Sequence, residues 1–493
     1  MSPLIIIISI FGYFGLLMMI AWYTSRNAGN DAYFLGNKSS PWYAVAFGMI
    51  GDSLSGVTFI SLPGTVSSNQ FSYMQLVLGY LLGYLIIAKV LLPVYYRLNL
   101  TSIYSYLQGR FGDYSQKTGS FYFLVSRIIG AALRLFLAAG VLHFFIFRDS
   151  VPFALTVAII IVLMLLYTYR GGIKTLVWTD TLQSGLLLLG VVFSIIAIMS
   201  QLDMGLGDVI SEVRNSRFSE TFFWDWREKN YFFKQFFSGA FIAVVMTGLD
   251  QNMMQKNLSC RNLGDAQKNI YLFSIVLVFV NLFFVSLGAL LYMYSEKLGI
   301  ALPLNPETGK VITDQVFPSL ALNNLGIFAA VVFIVGLTAA TFSSADSVLT
   351  TLTTSFCIDF LKTDEKDYSE KKKTQVRHWV HIGFAVILLI TIVLCEMIPK
   401  TSVLDSIFTV AAYTYGPLLG LFSFGLFTKV RVQDKLVPLI SVLSIAICYV
   451  LRENSESWLG GYKFGYELLL LNGLITFIGL WCIRSTQVHQ HPR

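Results

Sequence analysis

The chain has 493 residues, 55% of them hydrophobic and 13% charged, with a mean hydropathy of +0.66 and a formal net charge of +7. Soluble domains carry roughly 25% charged residues, so the composition excludes a soluble globular protein. No nucleotide-binding loop, zinc-binding HExxH or nucleophile triad supports an enzyme, and the five cysteines show no metal-ligand spacing or evident disulfide partner.

Crossing the hydrocarbon core takes about 20 mostly apolar residues. Thirteen stretches meet that need: 4–23, 42–68, 73–96, 118–147, 151–169, 177–200, 232–254, 268–294, 323–358, 378–398, 405–428, 436–451 and 465–483. They predict an all-α, multi-pass membrane protein with a single transmembrane domain over 1–493. The first span has no basic residue ahead of it and no small-residue cleavage site, which predicts a retained helix and not a signal peptide. The second, WYAVAFGMIGDSLSGVTFISLPG, holds Gly48, Gly51, Asp52, Ser53, Ser55, Gly56 and Thr58 near its middle. Glycine alone would serve close helix packing; with a carboxylate and hydroxyls beside it, it predicts an interrupted helix.

In the third span Lys89 is expected to snorkel to the cytoplasmic interface. In the fourth, Arg127 and Arg134 stand seven apart on one helix face. They either neutralise buried aspartates, or Arg134 receives a substrate anion. Asp180 opens the sixth span, and the acidic outer loop 201–230 is expected to form an interfacial cap. The seventh span, FSGAFIAVVMTGLDQNMM, puts Gly248 ahead of Asp250 and Gln251. A glycine-interrupted pair five spans apart points to an inverted-repeat transporter with a site at mid-membrane. The halves would be 42–200 and 232–428, with a leading accessory helix (4–23) and trailing ones (436–483). The inner loop 361–377 contains KTDEKDYSEKKK and reads as solvated and mobile.

The ninth span carries AATFSSADSVLTT, Ala339 to Thr351. Ala340, Ser343, Ser344 and Ser347 fall at i, i+3, i+4 and i+7, one helix face, and Asp346 flanks it. A lone serine in a membrane helix bonds the carbonyl four residues back, but a whole polar face beside a carboxylate cannot be satisfied that way. Buried ionisable groups cost about 2.5–3.5 kcal/mol each and mark functional sites; Asp52, Asp180, Asp250 and Asp346 qualify. Hard monovalent cations take oxygen ligands, and an unwound helix at Gly51–Leu54 would present free carbonyls. The ninth span therefore reads as half of a cation site, and the second as the other half.

With the N-terminus outside, the cytoplasmic segments, Lys256 among them, carry 21 of the 35 Lys and Arg residues and the outer segments 11. That asymmetry fits the positive-inside rule, and an odd number of spans then puts the C-terminus in the cytoplasm; the expected location is a plasma membrane, the bacterial inner membrane. The basic balance thus reports topology and not a nucleic-acid partner.

Six stretches in order carry a resemblance: AYFLGNKSSPWY, SGVTFISLPG, TSIYSYLQGRFG, YRGGIKTLVWTDTLQ, TGLDQNMMQKNL and AATFSSADSVLTT. The chain resembles the sodium:solute symporter family, relatives of bacterial sodium/galactose, sodium/proline and sodium/sialic acid transporters. The resemblance implies the LeuT-type five-plus-five inverted repeat with accessory helices. It puts a principal sodium site on the backbone of Gly51, Leu54 and Ala340 and the hydroxyls of Ser343 and Ser344. A second cation site would fall on Asp180, Ser343, Asp346 and Ser347, with the carboxylate at 346 leaving sodium or a proton open there. Galactose-type relatives use a glutamine, a glutamate and an asparagine where this chain has Thr58, Val77 and Asp250, which disfavours a sugar. Sialic-acid-type relatives place a serine and a threonine where Ser55 and Thr58 stand, and an arginine on the third core helix.

The expectation is sodium-coupled import of a small organic solute, an organic anion such as a sialic acid or another carboxylate, by a monomer in the bilayer. Ser53, Ser55, Thr58, Arg134, Asp250 and Gln251 are the candidate solute contacts, and sodium is the coupling ion with no further cofactor. The alternatives are proton coupling through Asp346 and Asp180, a sugar or proline-like amino acid as solute, and a non-transporting sensor. Against the last, only about ten residues follow the final span.

Overall fold

A computed structural model describes residues 3–24, 30–144, 151–306, 308–397 and 403–485, and each predicted span has a helical counterpart there. The helices are α1 (Pro3–Thr24), α2a (Trp42–Ser53), α2b (Gly56–Asn69), α3 (Tyr73–Arg97), α4 (Asp113–Leu142), α5 (Phe153–Thr168) and α6 (Gly172–Gln201). There follow α7a (Phe232–Gly248), α7b (Gln251–Leu258), α8 (Leu263–Leu298), α9 (Ile327–Phe360), α10 (Glu370–Met397), α11 (Val403–Phe427), α12 (Asp434–Glu453) and α13 (Leu468–Cys482). The span ends predicted at 145–147 and 398, with Arg26, Arg148, Lys400 and Arg493, lie outside the described residues.

Both predicted interruptions are real bends, 57° between α2a and α2b and 64° between α7a and α7b. The first falls at Leu54–Ser55, where Leu54 (φ −96°, ψ 62°) and Ser55 (ψ 171°) leave helical conformation. The second falls at Leu249–Asp250, where the Leu249 N–H reaches back five residues to the Val244 carbonyl at 3.0 Å. Asp250 then caps the new helix by accepting the Met253 N–H at 3.2 Å, as short polar side chains do at helix starts. Between α5 and α6 the chain makes a kink in place of a loop. Gly172 there has φ 53°, and a Cβ would come within 2.5 Å of the Tyr33 backbone.

Close packing joins the two broken helices to each other's neighbours. A Cβ on Gly79 of α3 would lie 1.9 Å from the Phe236 carbonyl of α7a, and one on Gly288 of α8 would lie 2.5 Å from the Pro63 carbonyl of α2b. Small residues let membrane helices approach this closely. The α9 helix lies against α6 through Gly336 and Gly190, and every residue from Gly336 to Ser355 is buried. Large apolar side chains such as Leu439, Val442, Ile447 and Ile159 remain exposed on the outside of the bundle, as the wall of a membrane protein requires.

The two long connections contain more helix than the sequence suggested. Segment 201–230 includes the helix Leu206–Asn215 and is tied to the start of α3 by Phe71 N–H to Glu220 O at 3.0 Å and Gln75 Nε2 to Asn230 O at 2.9 Å. In the inner loop, helix α10 already begins at Glu370, capped by Ser369. The charged run KKK belongs to its first turns, because a Ser N-cap and a Glu at the start favour helix over loop.

Gly79→Ala is expected to cost about 1–3 kcal/mol through overpacking. Gly130→Ala on α4, with nothing within 4 Å of its added methyl, is expected to leave stability unchanged. Thermal unfolding of the detergent-purified variants measures the difference; equal melting temperatures would refute the packing account.

Candidate functional site

The last helical hydrogen bond of α2a is Leu54 N–H to Ile50 O at 2.8 Å. Carbonyls from Gly51 onward therefore have no partner within their own helix. The break lies slightly later than the Gly51–Leu54 segment expected to unwind: Gly51 itself is still helical. Gly51 is packed between α6 and α9, for a Cβ there would meet Ser184 Oγ at 2.5 Å and Ser343 Oγ at 3.0 Å. Its N–H donates to Ser184 Oγ at 2.8 Å.

The polar face of α9 meets this break and the Asp180 carboxylate of α6. Ser343 Oγ donates to Asp180 Oδ1 at 3.1 Å and Ser347 Oγ to Asp180 Oδ2 at 3.4 Å. Ser344 Oγ lies 3.2 Å from the Ala340 carbonyl and 3.1 Å from that of Thr341, so its proton is spent on α9's own backbone and its lone pairs remain as acceptors. Asp346 is fully buried and accepts from Tyr167 Oη at 2.7 Å and the Ser347 N–H at 2.5 Å. Thus Asp180, Ser343 and Ser347 are in hydrogen-bond contact, and Asp346 joins them through Ser347.

Lys256 corrects the sequence reading, which put it in a cytoplasmic loop. It is 1% exposed on α7b, and its Nζ donates to Asp52 Oδ2 at 2.6 Å and Asp180 Oδ2 at 2.5 Å. Asn252, one turn earlier on the same helix face, donates to the same Asp52 Oδ2 at 2.9 Å. The seventh span was predicted to end at 254, four residues into the polar segment QNMMQKNL. The break at Leu249–Asp250 instead turns that polar segment inward, where Asp52 and Asp180 compensate it. The Asn252 to Lys256 spacing of four was the available signal. Two carboxylates share one ammonium here, leaving negative charge in excess beside the hydroxyls of α9 and the released carbonyls of α2a. Such a place attracts a small cation.

On the other side of α2, a cavity is lined by Asp52, Ser53, Ser55 and Thr58 with Arg127 and Arg134 of α4, and by tyrosines 73, 80 and 84 of α3. The two arginines differ in their surroundings. Arg127 Nε pairs with Asp250 Oδ2 at 2.6 Å, and Tyr415 Oη donates to the same oxygen at 2.5 Å. Arg134 is 8% exposed and, among the described residues, makes no hydrogen bond or ion pair; its buried Nε is unsatisfied. Two candidate solute contacts fall away from this wall. Asp250 is held by Arg127, Tyr415 and its own helix cap, while Gln251 bonds the backbone of the α3–α4 connection at Ile103 N–H (2.9 Å) and Thr101 O (2.8 Å). At a helix start both side chains are drawn to nearby backbone and charge, which spacing alone does not reveal. Lys89 is exposed, as snorkelling requires.

Sequence reasoning also passed over Ser184, Tyr167, Tyr415 and the fully buried Asp359. The last accepts from Gln116, Ser120 and Ser355 at 2.7–3.0 Å.

Lys256→Met would leave two buried carboxylates without their cation, a change expected to cost about 3–5 kcal/mol. We expect loss of monodisperse protein on size exclusion, and recovery with Lys256→Arg, whose guanidinium can bond both acids. A well-folded Met variant would show that the pair of ion bridges does not hold these helices.

A family model for the sodium:solute symporter family matches residues 33–435. The chain is 26% identical over 457 residues to the sodium/sialic acid symporter NanT of Aliivibrio fischeri, covering 91% of this chain and 88% of that one. It is 25% identical to the mouse sodium-coupled monocarboxylate transporter 1, covering 80% and 64%. Among solved structures it superposes on a substrate-bound, outward-open sodium-coupled sialic acid symporter with a TM-score of 0.81 at 21% identity, covering 97% and 96%. Mhp1, a nucleobase-cation-symport-1 family transporter, matches with a TM-score of 0.56 at 15% identity, covering 90% and 92%. These likenesses establish the LeuT-type fold, and the match across most of the chain establishes that it belongs to the sodium:solute symporter family.

Proposed function

We propose that this protein is a sodium-coupled secondary active symporter that imports a small organic anion. The observation that carries the reading is the meeting of released carbonyls at the α2 break with the hydroxyl face of α9, beside two carboxylates that share a single lysine. The principal sodium ion would take oxygens from Gly51, Leu54, Ala340, Ser343 and Ser344. A second cation would sit among Asp180, Ser343, Asp346 and Ser347. The anionic group of the solute would pair with Arg134, whose guanidinium forms no ion pair among the described residues, and Ser53, Ser55 and Thr58 would line its path. Relatives that carry sialic acids and monocarboxylates, both organic anions, support that charge preference.

Sodium between α2 and α9 would hold the break in one geometry and so complete the solute wall at Ser55 and Thr58. The linkage is reciprocal: solute should tighten sodium by the factor with which sodium tightens solute. Release would follow rocking of one helix group against the other. We place the N-terminus outside and the C-terminus in the cytoplasm of a plasma membrane, from the distribution of basic residues. The chain would work as a monomer within the bilayer, with α2–α6 and α7–α11 as the repeated halves and α1, α12 and α13 accessory.

Buried Asp346, which forms no ion pair among the described residues and accepts from Tyr167 and the Ser347 N–H, favours a second reading in which a proton is the coupling ion. Uptake into proteoliposomes, with N-acetylneuraminate and lactate as probes, separates the two. We expect accumulation to follow an inward sodium gradient at constant pH, and Ser343→Ala with Ser344→Ala to raise the half-saturating sodium concentration about tenfold or more, since a charge-assisted contact is worth about 1.5–3 kcal/mol. Accumulation driven by a pH gradient in potassium, and indifferent to the double alanine change, would overturn sodium coupling.

A further inference from the structure

Three buried polar atoms of residues that line the cavity have no hydrogen-bond partner among the described residues: Asp52 Oδ1, Asn281 Oδ1 and Arg134 Nε. They come from three helices, α2a, α8 and α4, and their residues are 3%, 1% and 8% exposed. Each has its remaining chemistry fixed by the protein or by charge. The other Asp52 oxygen is filled by Lys256 and Asn252. The Asn281 amide nitrogen donates to the Leu277 carbonyl at 2.7 Å, which makes its oxygen the free atom and an acceptor. Arg134 can only donate.

Folded proteins satisfy roughly 90% or more of their buried polar atoms, and each orphan calls for an explanation. Other buried polar atoms, such as Gln183 Oε1 and Asn269 Oδ1, also lack a partner among the described residues; these three differ in that their residues line one cavity, bringing one cationic donor and two acceptors to its wall. An anion alone satisfies only the arginine. A bare aliphatic carboxylate would cover Asp52 and Asn281 and leave both without a donor, and a site built around hydrogen bonds rejects an analogue that lacks them.

Building on the symport reading above, we propose that Asp52 and Asn281 are specificity-determining residues. They select solutes whose carboxylate is accompanied by a hydroxyl or ammonium donor, against donorless carboxylates of the same carbon skeleton. Asp52 suits this role because Lys256 ties it to Asp180 and Asn252 braces the same oxygen, so its free oxygen is held in place before the solute arrives. The same lysine links the solute wall to the carboxylate of the second cation site.

The test is equilibrium binding to the purified full chain in sodium, by thermal shift and calorimetry. The probes are propionate, lactate and alanine as one matched set, hexanoate and gluconate as another, and N-acetylneuraminate. We expect the members bearing hydroxyl or ammonium groups to bind about tenfold or more tightly than their donorless partners, the ratio that a hydrogen bond to a charged group supports. In Asp52→Asn, and separately in Asn281→Leu, that ratio should fall toward one, mainly by weakening the donor-bearing ligand. A purely structural role would weaken both members of a set alike. The near-isosteric leucine leaves the Lys256 bridges intact, so it decides the matter should the Asp52 variant fail to fold. Equal binding of donorless acids to the unaltered protein, an unchanged ratio in the variants, or no binding by any acid would overturn the proposal. Stabilisation by sodium over potassium without solute is read separately: its absence counts against symport, whereas its presence with a flat ratio counts against this selectivity alone.

Discussion

A backbone carbonyl that leaves a helix inside a membrane has no water to bond, and the cost of stranding it there is several kcal/mol. That constraint organises the core of this protein. The α2 helix gives up its hydrogen bonds at Leu54–Ser55, and the chain surrounds the gap with oxygen-rich and charged neighbours in place of lipid-like side chains. Ser184 approaches from α6, and Ser343 and Thr341 from α9, within contact distance of Gly51 and Gly56. A glycine at 51 is needed because any side chain would collide with the Ser184 hydroxyl. The break is stable only in the company of these groups, and on the proposed reading a sodium ion completes the set.

Charge extends the same constraint. The buried core around the site holds three cations, and their surroundings differ. Arg127 is consumed by Asp250, Lys256 is divided between Asp52 and Asp180, and Arg134 lines the cavity without an ion pair among the described residues. An ion pair buried this deeply pays a large desolvation cost and is weak evidence of stability gain. Its effect here is placement: Lys256 pins α7b to α2a and α6 and gathers two carboxylates beside the hydroxyl face of α9. Arg134 brings positive charge to the cavity wall that Asp52 also lines.

Glycine contacts between α3 and α7a, and between α8 and α2b, hold each broken helix against the helix that follows the other. The crossing is so tight that carbonyl oxygens occupy the places where methyl groups would stand. This packing positions two short half-helices whose own hydrogen bonds could not fix their angle.

What the amino-acid order determined by itself was the helical membrane architecture, the two interruptions and the hydroxyl face of Ala340 to Ser347. Those are local properties: apolar length, glycine beside polar residues, and spacing of three and four along a helix. Tertiary structure alone decided which charges meet. Arg127 and Arg134 are indistinguishable by spacing, yet one turns to Asp250 across 123 positions of sequence and the other forms no ion pair among the described residues. Lys256 reads as a loop residue because the segment around it is polar, and it becomes the centre of the core only when the α7 bend swings it between Asp52 and Asp180. Asp250 and Gln251, plausible solute contacts from their place at a break, are taken by helix capping and loop backbone. The physical reason is common to all three: the energy of a buried charge depends on what lies within a few ångströms of it, and those neighbours come from distant parts of the chain.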